Sequence, residues 1–336
     1  PDEVAALWDE VMDQSAILAN IPKKRPRAER TTYDRQISAG ALHSGYPIMG
    51  HLHHGKASLE VAKIKASGSW GMFHEIGHNH QWRDTVIPKT TEVTVNLWSI
   101  HSCEKVTTTK NGACHGNTDP AKAKKIVEDW VAKGAKYSDW GFWNALQMYL
   151  QIRKAFGWEV YKKVFQVYYD LPAAEAPKND QQRIDQWVVR LSKVCNKNLG
   201  PFFQSWALPV SKKALDSIKS LPTWIEDPMR AHLPYPAQVA ATSASAIKAT
   251  TANAGYNVLD PGGKGSVLTV FWGPKDGKTN DKAWQHNASI GAPKAGIANA
   301  PLTGLKKKTK YWYRLRIKSS LGAFWSPTVA SFVTSS

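Results

Sequence analysis

Apolar residues recur at helical spacing at the start of the chain and again through its middle. Near the start they fall three or four positions apart, which predicts a helix over residues 3–20. The residues that form this apolar face are Val4, Leu7, Trp8, Val11 and Met12. Similar patterns predict helices at residues 120–134, 141–156, 158–169, 180–195 and 199–219. Residues 33–66 instead hold short apolar runs broken by glycine and proline, which predict strands and loops.

The pattern changes after residue 237. Helical spacing disappears there, and apolar and polar residues alternate as in strands at residues 266–272, 311–317 and 330–334. Alternating strands over about 100 residues are typical of a β-sandwich. The proline-containing stretch 233–236 separates the two textures. We therefore predict a domain over residues 1–232, a linker over 233–237 and an all-β sandwich over 238–336.

Composition bounds the class of protein and its partners. The chain has 336 residues, of which 42% are hydrophobic and 21% charged, as expected of a globular protein with about two domains. Its formal net charge is +17, and residues 237–336 hold 13 Lys and Arg against 3 Asp and Glu. This charge favours polyanionic partners, which are nucleic acid, anionic lipid or acidic glycans, and does not by itself choose among them. No nucleic-acid-binding signature is visible, so we expect no nucleic acid partner. No apolar run approaches the ~18 residues of a membrane span.

Two of the three cysteines are placed to form a disulfide if the protein is exported. Cys103 and Cys114 are close in sequence and would pair in an oxidising compartment, which would leave Cys195 free. The alternative is a second zinc site formed with His101 and His115, but its spacing is not that of a zinc knuckle. No signal peptide is visible, and a chain that starts at Pro1 is typical of a mature or trimmed protein.

The most informative segment is residues 70–81, which contains His74, Glu75 and His78. The small residues 67–69 supply N-cap chemistry for a helix that begins near Trp70. Residues four apart lie on one face of a helix, so His74 and His78 can present two imidazoles to one zinc ion. Glu75 lies beside that face and is the predicted general base toward a zinc-activated water molecule.

A catalytic zinc site needs a third protein ligand. In one form of the motif, glycine and histidine occupy the positions that hold Gln81 and Asp84 here, so that form does not apply. The other form takes a glutamate from a following helix, which predicts Glu92 as the ligand, with Thr90 or Thr91 as helix cap.

Local propensity opposes this helix. The residues around Glu92 are β-branched and alternate, which favours a strand. We give precedence to the metal requirement, since a buried acidic residue at this position otherwise needs a partner. Glu104 is the reserve ligand, and Asn96 is expected to hydrogen-bond to a ligand.

Further candidates are weaker. His51, His53 and His54 predict either a second metal site or, more often for this pattern, a solvated strand edge. His80 is expected to pack or to support a ligand. Aromatic residues near the motif are candidates for binding substrate, although core packing is the commoner role; these are Trp70, Trp82, Trp98, Trp143 and Tyr46. Candidates for a second oxyanion donor are Tyr46, His43 and Tyr149.

The sequence resembles the enhancin-like peptidases of family M60, which target mucins. The segments that carry the resemblance are residues 34–38, 43–48, 71–81, 92–96, 156–158 and 198–206. The resemblance covers nearly all of residues 1–225. In the sandwich, residues 302–305, 311–316 and 322–327 resemble the closing strands of a fibronectin type III domain.

This resemblance implies a gluzincin fold of the α+β class, with a mixed N-terminal lobe and a helical C-terminal lobe. It implies His74, His78 and Glu92 as zinc ligands and Glu75 as base. It also implies an enzyme that cleaves O-glycosylated mucin-like proteins. We further expect a monomeric, secreted or cell-surface protein of bacterial type. The alternatives are a zinc endopeptidase that ignores glycans and a glycan-binding adhesin that is not an enzyme.

Overall fold

A computed structural model of the protein describes residues 1–23, 25, 27–109 and 113–336. The chain divides into two compact units. The N-terminal unit comprises residues 1–197 and 209–221, and the C-terminal unit comprises residues 198–208 and 222–336.

Helices make up most of the N-terminal unit. The first helix, α1, spans Asp2–Ala19, as its apolar pattern predicts, and ends at Asn20 in the left-handed conformation. Its face with Leu7 and Val11 packs in the same core as Phe73. The other helices of this unit are α2 (Leu52–Ala57), α3 (Val61–Ser67), α4 (Trp70–His78), α5 (Thr91–Thr94), α6 (Asn96–Val106), α7 (Pro120–Ala132), α8 (Phe142–Phe156), α9 (Glu159–Tyr169), α10 (Asp180–Cys195) and α12 (Lys212–Ile218).

A small mixed sheet completes the N-terminal unit. Its strands are β1 (Thr31–Asp34), β2 (Leu42–His43) and β3 (Ile48–His51), in the order β1-β3-β2. Strand β1 runs parallel to β3, and β2 runs antiparallel to it. The short strand β2 therefore forms one edge of this sheet.

Two predicted segments differ from the structure. Residues 33–66 contain the helices α2 and α3 in addition to strands. These helices were not predicted because each is too short to show an apolar period in the sequence. The predicted helix 199–219 is two helices, α11 (Gly200–Ser205) in the C-terminal unit and α12 in the N-terminal unit. Ala207 lies between them with φ 56°, a left-handed conformation that ends the first helix.

The strands of the C-terminal unit form two antiparallel sheets. One has the order β4-β5-β8; in the other, β10-β9-β6-β7, strand β11 also pairs with β9. Inward residues of both sheets, such as Val258 and Leu315, share one core. The strands are β4 (Ala237–Ala241), β5 (Ala252–Pro261), β6 (Val267–Gly273), β7 (His286–Gly291), β8 (Gly296–Leu302), β9 (Lys310–Ser319), β10 (Gly322–Trp325) and β11 (Ala330–Val333).

Residues 222–236 pack as part of the C-terminal unit. Tyr235 is fully buried and donates a hydrogen bond to Asp227, 2.8 Å away, and Arg230 forms a buried ion pair with Asp260. The unit thus begins earlier than the expected linker at 233–237. The predicted domain limits stay a prediction, because a compact unit in the structure need not be a domain that folds by itself. Within the described residues, no helix is both long and apolar enough to cross a bilayer.

Candidate metal centre

Helix α4 carries the two histidines of the motif. It begins at Trp70, as predicted, although the N-cap Ser69 makes no side-chain hydrogen bond to the helix. Met72, Phe73 and Ile76 are buried in the core of the N-terminal unit. This apolar face fixes the helix, and His74 and His78 lie half-buried on another face, four residues apart.

Glu92 lies on α5, a single helical turn that overrides the strand propensity of its residues. Val95, which joins α5 to the longer helix α6, also has a helical backbone conformation. The side chain of Glu92 is 65% exposed. The expectation that this carboxylate is buried is therefore wrong. Its predicted position beside the two histidines is tested instead by the distances between the three side chains.

The three side chains converge. Glu92 Oε2 lies 3.0 Å from His74 Nε2 and 3.3 Å from His78 Nε2. The two Nε2 atoms are 3.2 Å apart. Ligands about 2.0–2.2 Å from a tetrahedral zinc ion are about 3.3–3.5 Å from one another, so the donor set and its spacing fit zinc closely. Among the described residues, this is the single group of three or more such ligands that converges.

The second nitrogen of each ring is held by an amide oxygen. His74 Nδ1 donates to Asn96 Oδ1 at 2.9 Å, and Asn96 Nδ2 donates to the Glu92 carbonyl at 2.7 Å. Ser99 Oγ also donates to Asn96 Oδ1, at 3.1 Å. Since an amide oxygen only accepts, the His74 proton resides on Nδ1, and the Nε2 lone pair is directed at the metal position.

Gln81 plays the same part for His78. Its Oε1 accepts from His78 Nδ1 at 3.1 Å. Its Nε2 donates to the Thr91 carbonyl at 3.0 Å and to Thr94 Oγ1 at 2.6 Å. Gln81 thereby ties one ligand to the turn that bears Glu92. The contacts of Gln81 were not predicted from the sequence; its position three residues after His78 was the available signal.

Glu75 lies beside the metal ligands. Its side chain is buried, and burial raises the pKa of its carboxyl, an effect opposed by the charges of His74 and His78. The backbone of Ser44 hydrogen-bonds to the carboxyl group and favours its ionised form. This position and this environment suit a general base.

The segment after β2 is fastened to the end of α4. Asn79 Oδ1 accepts from the Gly45 N–H at 3.1 Å, and Asn79 Nδ2 donates to the Gly45 carbonyl at 3.1 Å. Gly45 has φ 126°, which favours glycine at this position. Ser44, Gly45 and Tyr46 therefore line the same region as Glu75.

The other metal candidates lie elsewhere. Glu104, the reserve ligand, pairs with Arg153 and accepts from Trp158 Nε1 at 2.6 Å. Cys103 and Cys114 form a disulfide, which excludes the second zinc site that would have used both cysteines. Cys195 is free, as expected of an exported protein with this pair.

The remaining histidines do not form a second centre among the described residues. His51 ends β3, and His53 and His54 lie in α2, so the expected strand edge is partly helical. The rings of His53 and His54 are 4.0 Å apart without a third converging ligand. His80 packs in the interior, where its Nδ1 bonds the Ile76 carbonyl at 2.8 Å.

The aromatic candidates lie in two ring clusters. In the first, the ring centroid of His115 is 5.3 Å from that of Trp70 and 4.3 Å from that of Trp143, and the two tryptophan rings are 6.2 Å apart. Trp82, 37% exposed, contacts Tyr169, 48% exposed, with ring centroids 5.1 Å apart. These three tryptophans are accessible enough to meet a ligand.

Two other aromatic candidates belong to the core. Trp98 is buried, and its Nε1 donates to the Ser15 carbonyl at 3.1 Å. Tyr149 is also buried, and its hydroxyl contacts Thr90 Oγ1 at 3.2 Å. Its place as an oxyanion donor is therefore wrong, because burial and this bond withhold the hydroxyl from a ligand. Tyr46, 40% exposed, and the half-buried His43 remain candidates.

Comparison with known proteins agrees with this geometry. The profile of the family described as peptidase M60, enhancin and enhancin-like matches residues 1–207. The chain belongs to the peptidase M60 family. The match includes every member of the metal centre, and the M60 family implies a bound metal.

Relatives and solved structures extend the comparison. The chain is 41% identical over 236 residues to human TRPM8 channel-associated factor 2, covering 69% of this chain and 25% of the relative. It is 41% identical over 233 residues to TRPM8 channel-associated factor 3 of Rattus norvegicus, covering 68% of this chain and 25% of that protein. The chain thus spans about a quarter of the length of these curated relatives.

The fold is shared with bacterial proteins of low identity. A structure of the M60 catalytic domain of Clostridium perfringens ZmpB with two CBM51 domains matches with a TM-score of 0.53 and 15% identity, covering 99% of this chain and 41% of that one. A Bacillus anthracis protein described as functionally unknown matches with a TM-score of 0.58 and 17% identity, covering 76% and 63%. The helical unit with its small sheet therefore has the fold of M60 catalytic domains.

Proposed function

We propose that the protein is a zinc metallopeptidase of gluzincin type that cleaves O-glycosylated, mucin-like proteins. The observation that carries the proposal is the convergence of His74, His78 and Glu92 next to the buried carboxyl of Glu75. Three ligands with nitrogen and oxygen donors are typical of a catalytic zinc site, which keeps a position for water or substrate.

When bound, zinc would supply Lewis-acid chemistry, lowering the pKa of water and polarising the scissile carbonyl. Glu75 is placed to accept a proton from the attacking water and to return it to the leaving amine. Burial makes this carboxyl more basic, which suits proton transfer near neutral pH. Asn96 and Gln81 hold the rings of His74 and His78 in the productive orientation.

The substrate is expected to lie along strand β2. Among the described residues, this strand pairs with β3 alone, and an extended peptide can add to such an edge through main-chain hydrogen bonds. Ser44, which follows β2 directly, contacts Glu75. A peptide on this edge would therefore pass the catalytic base.

The proposal includes recognition of the sugar as well as of the peptide. The accessible rings of Trp70, Trp82 and Trp143 can stack on the apolar face of a sugar. The net charge of +17 would attract sialylated or sulfated mucins. We further propose an extracellular, secreted or cell-surface location and a monomeric state, in keeping with the disulfide Cys103–Cys114.

Substitution of the base tests catalysis. Glu75→Gln should bind zinc with unchanged stoichiometry and lose peptide hydrolysis, measured by metal analysis and by mass spectrometry of products from a defined O-glycopeptide. Chelator treatment of the unaltered enzyme should abolish cleavage, and zinc should restore it. Cleavage by Glu75→Gln at the original rate would refute the role of this residue.

Removal of glycans tests the substrate class. An O-glycoprotein digested before and after enzymatic deglycosylation should be cut faster with its glycans. Faster cleavage of the stripped form would favour a glycan-independent endopeptidase. Binding of glycoprotein without cleavage at any zinc concentration would favour a binding protein, a role compatible with the name of the channel-associated relatives.

For the C-terminal unit we propose a fibronectin type III-like sandwich that acts as a spacer. The support is its pair of antiparallel sheets, β4-β5-β8 against β10-β9-β6-β7, and their common core. A solved structure of residues 222–336 with another strand order would overturn this assignment.

A further inference from the structure

The backbone segment that carries Tyr46 is anchored beside the catalytic base. The preceding residue, Gly45, is held by two hydrogen bonds to Asn79, and Ser44 bonds the carboxyl of Glu75. Two peptide units separate Tyr46 from Ser44, so their Cα atoms are at most about 7.6 Å apart. The ring is 40% exposed, so a ligand in this region can reach it.

Two arginines gather at this ring. The guanidinium carbon of Arg27 lies 3.5 Å from the ring centroid of Tyr46, and that of Arg30 lies 5.9 Å from it. The Arg30 carbonyl accepts from the Ile48 N–H at 2.8 Å, which fixes the backbone beside β3. Both side chains are exposed.

The two arginines lack an acidic partner within the described residues. In the described part of the chain, neither Arg27 nor Arg30 forms an ion pair, whereas nearby Arg25 pairs with Asp9 and Asp13. A guanidinium stacked on an aromatic face keeps its N–H groups free at the edge of the plane. That planar fork matches the two oxygens of a carboxylate or sulfate, and it stays charged at every physiological pH.

We propose that Arg27, Arg30 and Tyr46 form an anion-binding subsite beside the metal centre, which takes a carboxylate or sulfate group on the substrate. This inference rests on the proposed function. A sialylated or sulfated glycan, or an acidic side chain of the peptide, carries this chemistry. The subsite makes the enzyme prefer acidic over neutral forms of the same substrate.

The test uses three matched O-glycopeptides of one sequence, which carry a neutral, a sialylated or a sulfated glycan, and a fourth peptide without glycan but with an added Asp. The variant is Arg27→Gln with Arg30→Gln. The charge-matched control is Lys306→Gln with Lys307→Gln, which removes two exposed cations from the C-terminal unit. Thermal unfolding verifies that both variants fold.

We expect the unaltered enzyme to cleave an acidic form with a higher kcat/KM than the neutral form. The arginine variant should lose about three- to tenfold in kcat/KM on that acidic form alone. The control should lose less than twofold on every form. The loss should shrink at high salt, because this subsite is exposed. The identity of the affected substrate distinguishes sialic acid, sulfate and acidic peptide.

A binding measurement tests the anion-binding subsite independently of peptide hydrolysis. The Glu75→Gln variant should bind the preferred acidic glycopeptide more tightly than the neutral one in fluorescence anisotropy, and the arginine substitutions in that background should remove the difference. Cleavage of all forms with equal efficiency, unchanged by the arginine substitutions, would overturn the subsite and leave the peptidase intact. Absence of cleavage together with a charge-dependent binding difference would overturn the peptidase and retain the subsite.

Discussion

The contacts of Gln81 lead to a sharp prediction about metal affinity. Replacing Gln81 with Met keeps the length of the side chain and removes one acceptor and two donors. The acceptor holds His78 Nδ1 at 3.1 Å, and the donors hold the Thr91 carbonyl and Thr94 Oγ1 on the turn that bears Glu92. Two of the three metal ligands therefore lose a support in one substitution.

The magnitude follows from those bonds. Loss of an outer partner of a metal ligand typically lowers metal affinity about 10–100-fold, which is about 1.4–2.8 kcal/mol. Because Gln81 supports both His78 and the turn with Glu92, we expect the upper part of this range. Gln81→Glu keeps an acceptor for His78 and loses both donors, so its zinc affinity should lie between those of Gln81→Met and the unaltered protein.

The assay is competition for zinc against a chromophoric chelator, performed on the three proteins at one pH. Gln166→Met is the matched control, since the side chain of Gln166 donates to Asp170, the residue directly after α9, at 2.8 Å. The control should bind zinc like the unaltered protein. If Gln81→Met stays within twofold of the unaltered affinity, the bonds of Gln81 do not position the ligands, and the reasoning fails.

Three further predictions concern stability. Gly77→Ala should destabilise the protein by about 1–3 kcal/mol in denaturant unfolding despite a better helix propensity, because the new Cβ would lie 2.9 Å from atoms of both Trp98 and Val95; an unchanged midpoint would refute this. Arg230→Met should cost about 3–5 kcal/mol in the C-terminal unit, since it leaves a buried carboxylate without its cation, and calorimetry would detect the shift. Burial lowers the pKa of His101 to about 3, below the unfolded value of about 6.5. The unfolded state therefore binds the proton first, and this residue removes about 2–3 kcal/mol of stability as pH falls from 6.5 to 4.5, a slope that His101→Phe should reduce in pH-dependent unfolding.

The sequence was most informative where a short motif dictates geometry. The i, i+4 spacing of His74 and His78 requires a shared helix face, and an apolar stripe on α4 fixes which face is buried. Helix α5 could be predicted only from the need for a third metal ligand. Its β-branched residues favour a strand, and its four residues are too few to show a helical period. The need for a third ligand indicated Glu92 correctly as a neighbour of the histidines, although burial was the wrong reason.

The contacts around the ligands were much harder to foresee. Gln81 reaches Thr91 and Thr94 across a loop of nine residues whose path leaves no periodic signal. The two hydrogen bonds between Asn79 and Gly45 join residues 34 positions apart, and the sequence around neither residue indicates that they pair. Such contacts depend on the packed arrangement of several elements, which one sequence specifies only collectively.

The polypeptide crosses between its two units three times, at residues 197–198, 208–209 and 221–222. A shortened protein that stops at residue 232 would keep residues 198–208 while losing every strand of the compact unit to which they belong. Because Tyr235 is buried within this unit, residues 233–237 are also a poor place to divide the chain. A shortened version of the chain should therefore keep residues 198–208 and 222–336 together.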